Sequence, residues 1–241
     1  MPRGQADFGM YAPKTVTSTL ADMGELAVRL SSIVEYDRRG DVIYLDDFEE
    51  PVLKWSPLAT GAGYVRLDNT RAKSGCQAVK LYTDIGGYAD ARITRFFSVF
   101  GVLRAGIEIS FSTLSTGCNL SFLISYWDGT VGYQATVTFL GADKKLYITS
   151  PTGLDLVEVA TIGRLRDETL FYPMKLVADF IEHKYVRLLF GGNEYDISTL
   201  PIPTFGHTGG AYLLVNLTLT DVVAGGHNVW VDNFILTMSE P

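Results

Sequence analysis

From residue 44 to its end the chain is a succession of short apolar runs, each closed by Gly, Pro, Asn, Asp or Ser. YVRLDNT, QAVKLYT, ADARITRFF, RAGIEISFS, NLSFLISYW, YQATVTFL, KLYITS, LVEVAT, MKLVADF, YVRLLFG, NEYDIS, AYLLVNLTLT and NVWVDNFILTM follow one another with little between them. Several alternate. Ile107, Ile109 and Phe111 face one way along their run, and Glu108 and Ser110 face the other, which is the period of a half-buried strand. Runs this short, with turn residues this frequent, fold as strands. Only IEHK separates MKLVADF from YVRLLFG, so those two read as a hairpin. No strand is followed by a helical pattern, which excludes a parallel α/β sheet. The expected fold is therefore all-β, a two-sheet antiparallel sandwich or a barrel.

Composition agrees. The 241 residues suffice to bury a core without staples, and 24 glycines with 13 tyrosines and 13 phenylalanines suit a turn-rich β protein. A net charge of -7 and a pI near 5.0 set the chain apart from nucleic-acid binders, which need a basic stripe to neutralise phosphates. Cys76 and Cys118 lie in β-like runs and read as free buried thiols, with one disulfide as the alternative. MPRGQADFGMYAPK lacks the apolar segment of a signal peptide. No run approaches the ~18 apolar residues of a membrane span. The expectation is a chain folded in cytoplasm, with no membrane partner.

Residues 1–43 follow different rules. Pro2, Gly4, Gly9 and Pro13 break any regular element. Phe8, Met10 and Tyr11 nevertheless give this arm apolar surface to bury. Thr19 and Asp22 fit a capping box, and Leu20, Met23, Ala27 and Leu30 repeat at helical spacing. A short helix over about 19–32 is expected, marginal alone because of its length and Gly24. A hairpin turning at Asp37–Gly40 leads into the first sandwich strand. Two regions result: an arm with helix and hairpin, 1–43, and a sandwich, 44–241.

The stretch YLDDFEEPVLKW and the closing NVWVDNFILTM both alternate aromatic residues with carboxylates. Chain termini tend to lie close together, so these two are expected to pair, seating Phe48 in the core and Glu49 near Asp232. In that strand reading Val229, Val231 and Asn233 face away from Trp230, Asp232 and Phe234. With Ser74-Gly75-Cys76-Gln77-Ala78-Val79 and Trp230-Val231-Asp232-Asn233-Phe234, residues 44–239 resemble jelly-roll carbohydrate-binding modules and concanavalin-A-like lectins and glucanases. The resemblance implies a structural calcium on Asp47, Glu49 and Asp232, since calcium takes hard oxygen ligands from several segments. Carboxylates that keep edge strands polar are the other reading.

The resemblance also directs attention to sugar binding, which needs rings to stack on a pyranose beside polar groups. Tyr126 and Trp127 with Asp128, and Tyr133 with Gln134, are the candidates, with Trp127 as a plug of the sandwich rim in the competing reading. Glycosidase chemistry on this fold needs two carboxylates on one strand facing one cleft. Glu108 stands alone on its strand, and Asp167 and Glu168 are adjacent in a loop. His183, His207 and His227 sit at turns without metal-pair spacing. These features set the expectation against an enzyme.

Two functions follow. ADFGMYAPKTVTSTLADMGELAVRL is similar to the leaders of tailed-phage proteins that carry sandwich domains. That resemblance implies a structural virion subunit, in capsid decoration or in a tail or fibre. Phe8, Met10, Tyr11, Leu20, Met23, Leu26 and Leu30 would then make its assembly contacts, in a homo-oligomer such as a trimer, against partners such as the major capsid protein. The alternative is a carbohydrate-binding module.

Overall fold

A computed structural model describes residues 39–84, 89–98, 104–113, 117–163, 165, 170–206, 209–221 and 226–241. The chain divides into two units between Arg38 and Arg39, and the description below is of the second, Arg39–Pro241. The arm, the short helix, most of the hairpin and all seven expected assembly residues lie outside the described residues. Of the expected turn, Gly40 is described, and its φ of 83° is the left-handed value that glycine supplies there.

The described residues form two antiparallel sheets of eight strands each. In chain order the first eight strands are β1 (Asp41–Asp46), β2 (Ser56–Ala59), β3 (Tyr64–Asp68), β4 (Ala78–Tyr82), β5 (Asp90–Phe97), β6 (Arg104–Thr113), β7 (Cys118–Trp127) and β8 (Val131–Leu140). They continue as β9 (Lys145–Thr149), β10 (Leu156–Thr161), β11 (Tyr172–Asp179), β12 (Lys184–Phe190), β13 (Asn193–Asp196), β14 (Thr204–Gly206), β15 (Tyr212–Asp221) and β16 (Asn228–Met238). The first sheet runs β13-β12-β11-β6-β16-β4-β3, with β1 also on β16. The second runs β10-β9-β8-β7-β15-β5-β2, with β14 also on β8. This is the all-β, two-sheet jelly-roll sandwich expected from the alternating runs.

The period of two decides what lies between the sheets. Ile107, Ile109 and Phe111 of β6 meet Phe122 and Ile124 of β7, Val137 and Phe139 of β8, and Val215 and Leu217 of β15 in one core. Burying a large apolar side chain contributes roughly 1.5–3 kcal/mol. β11 and β12 form the expected hairpin, and β1 pairs with β16 as the first and last strands.

Phe48 reaches the core, but by a turn. It has a φ of 57° and lies beyond the end of β1. Asn233, with a φ of 55°, sits in a bulge that shifts the register of β16 between Asp232 and Ile235. The bulge turns Phe234 into the core beside Val229 and Val231, where uninterrupted alternation would face it outwards. Cys76 and Cys118 are both free, Cys118 buried as expected and Cys76 exposed.

Candidate functional site

The two outer faces of the sandwich differ in kind. On the first sheet, Lys175 of β11, Arg187 of β12, and Glu108 and Ser110 of β6 are all buried. Lys175 Nζ is 2.7 Å from Glu240 Oε1, Arg187 contacts Glu240 Oε2, and Arg187 also donates to the main-chain oxygen of Pro241 at 2.7 Å. The C-terminal residues thus close this face with a buried ionic network.

The outer face of the second sheet is mostly half-exposed, with Ser125, Thr136 and Thr138 buried in it, and apart from Glu158 and Arg92 its polar groups are uncharged. Strand register lays its side chains out in rows. The first row is Phe205, Gly132, Trp127 and Tyr212. The second is Gln134, Ser125, Leu214 and Phe96. The third is Thr136, Leu123, Asn216, Thr94 and Ser56. The fourth runs from Glu158 and Tyr147 through Thr138, Ser121 and Thr218 to Arg92 and Leu58. Hydroxyls and amides fill the middle, with rings at one end. Ser121 and Thr138 hydroxyls lie 3.0 Å apart, and Thr218 Oγ1 donates to Asn216 Oδ1 at 3.2 Å. Glu158 is paired with Lys145 at 2.7 Å, and that hydrogen bond holds its carboxyl below the usual range.

The aromatic end is built around a glycine. A Cβ on Gly132 would stand 2.4 Å from the Phe205 ring and 2.7 Å from the Trp127 ring. The bare backbone lets both rings close over it. Trp127 packs edge-on to Phe205 at 4.6 Å and against Tyr212 at 5.4 Å. Tyr212 in turn meets Phe96 at 5.5 Å. Phe96 is 59% exposed and is the open ring of the group.

The structure divides the residues expected to bind sugar. Trp127 lies on this outer face. Tyr126 and Tyr133 lie on the opposite side of the same strands, stacked on each other at 6.0 Å and packed against the core. Tyr126 meets Phe180 there, and Tyr133 stacks on His183 at 4.2 Å. Asp128 is in the turn between β7 and β8. Its carboxylate accepts from the Val131 and Thr130 main-chain N–H groups and from the Thr130 hydroxyl, which hold its pKa down. Adjacent residues of a strand face opposite ways, so a cluster in sequence is not a cluster in space. Gln134, expected beside Tyr133, does lie on this face, whereas Phe96, Tyr212 and Asn216 escaped the sequence reading because β15 joins β7, and β5 joins β15, only through the sheet topology.

The carboxylates expected to hold calcium behave differently again. Asp47 accepts from Glu49 N in its own turn. Glu49 Oε1 accepts from the main-chain N–H groups of Cys76 and Gln77. Asp232 accepts from those of Lys73, Ser74 and Asn233. Burial pushes the Asp232 carboxyl up, three main-chain N–H groups pull it down, and the charge of Glu49 pushes it up further. Asp232 and Glu49 are thus brought to one loop as expected, but Asp47 does not join them. That loop turns N–H groups towards them, and an N–H dipole repels a cation. Among the described residues no group of three His, Cys, Asp or Glu side chains is placed to hold a metal. The set does not fit calcium in this arrangement.

One pairing had no sequence signal beyond a histidine and an aspartate flanking the last connection. His227 Nε2 is 2.7 Å from Asp221 Oδ1, and Asp221 is buried. Neither Asp221 oxygen has an aligned hydrogen-bond donor, and the contact is an ion pair only when the imidazole is protonated. Nearby, burial pushes the Cys118 thiol up to about 11, the Thr113 hydrogen bond opposes this, and the charge of Asp221 adds to it. Cys118 therefore stays a thiol at neutral pH and is no nucleophile.

No family model and no curated protein matches this chain. Solved structures do. An endo-β-1,4-glucuronan lyase from the fungus Trichoderma reesei aligns with a TM-score of 0.59 at 11% identity, over 83% of this chain and 96% of that one. The GH16 of the Bacteroides ovatus mixed linkage glucan PUL, in complex with a product, gives 0.51 at 13%, over 81% and 100%. A carbohydrate esterase from the Shiga toxin-encoding bacteriophage phi24B gives 0.51 at 14%, over 83% and 99%. At these identities the likeness is one of fold, an antiparallel jelly-roll sandwich. It also corrects the expectation of a chain without catalysis. A lyase and an esterase are built on this architecture, and the reading against an enzyme rested on carboxylate spacing along single strands. A sheet face draws its groups from several strands, which such spacing does not register.

Proposed function

We propose that this protein recognises a carbohydrate on the outer face of its second sheet. The observation that carries the reading is the composition of that face: hydroxyls and amides beside a cluster of rings, with Phe96 open at the aromatic end, Gln134 and Asn216 half-exposed, and Ser125, Thr136 and Thr138 buried among their neighbours. A pyranose offers a ring face for stacking and hydroxyls that both donate and accept, and this surface matches both. On the opposite outer face, Glu240 and its cations close the part formed by β6, β11 and β12. The three similar structures are all named for proteins that act on carbohydrates, which supports the same class of ligand. The virion expectation rested on residues 1–43, of which only 39–43 are among the described residues.

The test is a glycan and polysaccharide array probed with the whole chain, followed by calorimetry on the best ligand. Phe96→Ala should weaken binding about tenfold or more, the order expected for losing a stacking ring. Mass spectrometry of the bound ligand after incubation reports whether it is also cleaved or de-esterified. An array that stays blank with folded protein would remove the reading.

A further inference from the structure

We propose that the ligand is an acidic glycan, with Arg92 reading a carboxylate of the sugar chain while Phe96 stacks on a neighbouring ring. The proposal rests on the carbohydrate reading above and narrows it to a chemical class. Arg92, Thr94 and Phe96 alternate with core residues along β5, so all three face out from the second sheet. Across the sheet, Thr218 of β15 flanks Arg92 on one side and Leu58 of β2 on the other.

The other described arginines of this unit are engaged. Arg39 pairs with Glu194, Arg104 with Asp179, Arg187 with Glu240 and Arg66 with Asp68. Arg71 lies over the Trp230 ring, and Arg95 donates to the Lys54 carbonyl and covers Tyr44. Arg92 alone among the described arginines has no hydrogen bond, ion pair or ring contact, and it is exposed. Asp90, two residues along the same face, makes no ion pair with it and donates its main-chain N–H to Thr60 Oγ1.

A guanidinium offers five donors in a planar fork that matches a carboxylate. Phe96 stands four residues further along, about 13–14 Å in extended strand. An arginine side chain bent towards the ring covers part of that span, and two or three linked sugars cover the rest. Thr94 lies between them with a hydroxyl for the sugar. The net charge of -7 opposes a polyanion at long range, but screening limits that field to about 8 Å at physiological salt. The short contact at Arg92 therefore decides the preference.

The probes are a β-linked glucuronate oligomer and the glucose oligomer of the same linkage and length, titrated by calorimetry into the whole chain and into Arg92→Gln, Arg92→Lys and Phe96→Ala. The glucuronate oligomer should bind about tenfold tighter or more, since charge-assisted hydrogen bonds are the strong ones. Arg92→Gln should level the two, Arg92→Lys should restore part of the preference, and Phe96→Ala should weaken both alike. Equal binding of the two oligomers, or a preference that survives Arg92→Gln, would overturn the acidic class and leave the carbohydrate reading standing if Phe96→Ala still weakens both. If neither oligomer binds, the acidic class falls, and the array alone decides the broader reading. Circular dichroism of each variant keeps misfolding apart from lost contact.

Discussion

Asp46 accepts from the Tyr44 hydroxyl at 2.7 Å, from Trp55 Nε1 at 3.1 Å and from the Phe48 main-chain N–H at 3.0 Å. It is buried, and burial together with its hydrogen bond raises the Tyr44 phenol well above the usual range. Of the acids crowded before Trp55, this one is structural. It fixes the left-handed turn at Phe48, whose ring lies 6.2 Å from Trp55, and Trp55 in turn meets Phe234 edge-on at 4.7 Å. Asp46→Ala leaves three buried or half-buried donors unsatisfied and should cost about 3 kcal/mol or more in urea unfolding. A loss under 1 kcal/mol would show that the turn holds without it. Asp179 gives a pH-dependent counterpart. Burial pushes its carboxyl up, but the Glu182 N–H, the Arg104 guanidinium and the Ile181 N–H outweigh this, and its pKa ends below the ordinary 3.8. A depressed folded value means stabilisation present above pH 3.8 and lost as pH falls through the folded pKa. Asp179→Asn should therefore lower stability at pH 7, with the difference from the parent shrinking as pH drops below about 4. A difference that stays constant across that range would contradict the assignment.

At the scale of elements, β16 is the hinge of the design. Its first half pairs with β4 and its second with β1, and the bulge at Asp232–Asn233 lies at the change of partner. The 73–77 loop fills the gap by giving its N–H groups to Asp232 and Glu49, while Ser74 Oγ donates to Asn233 Oδ1. Because those carboxylates are met by main-chain donors, chelation with EGTA is expected to leave the melting temperature unchanged, whereas Glu49→Ala should lower it. A drop with EGTA that added calcium reverses would mean that the loop turns its carbonyls inward to bind the ion. Much of this level was legible in the sequence. Thirteen runs from YVRLDNT to NVWVDNFILTM became β3 to β13, β15 and β16, because alternation with turn punctuation is a local signal. β2, four residues containing Pro57, and β14, only three residues long, carry no such signal. They are strands because β5 and β8 offer them open edges. The bulge was also hidden. Trp230-Val231-Asp232-Asn233-Phe234 reads as perfect alternation, and only tertiary demand for Phe234 in the core shows that it breaks. The candidate site was legible at Trp127 and Gln134, on the β7–β8 hairpin, since its other members come from strands far apart in the chain.

At the scale of the whole unit, the proposed glycan surface and the buried ionic network lie on opposite outer faces, and their independence can be tested. Glu240 is fully buried, with Lys175 Nζ on one oxygen and Arg187 on the other, and Thr237 Oγ1 donates to it as well. Gly106 makes room for it, since a Cβ there would stand 2.7 Å from Glu240 Oε1 and 2.5 Å from Thr237 Oγ1. Lys175 also donates to the Arg39 carbonyl, so the segment where this unit begins and the one where it ends are tied to one point of the first sheet. A buried ion pair is weak evidence of net stabilisation, because desolvation of the charges offsets their attraction. Removing one partner is another matter, for it leaves buried charge behind. Glu240→Ala leaves two cations side by side without the carboxylate between them and should cost about 3–5 kcal/mol. The triple change Lys175→Met, Arg187→Met, Glu240→Leu removes the charges together and should recover most of that loss. Neither change should alter affinity for the glycan found on the array, provided the variant is folded at the assay temperature. The second sheet lies about 10 Å away across a close-packed core, and none of its outer rows touches this network. If Glu240→Ala weakens glycan binding while the fold is intact, the two faces are coupled through the core, and the ligand lies elsewhere than on the outer rows or the rows depend on the closed first sheet.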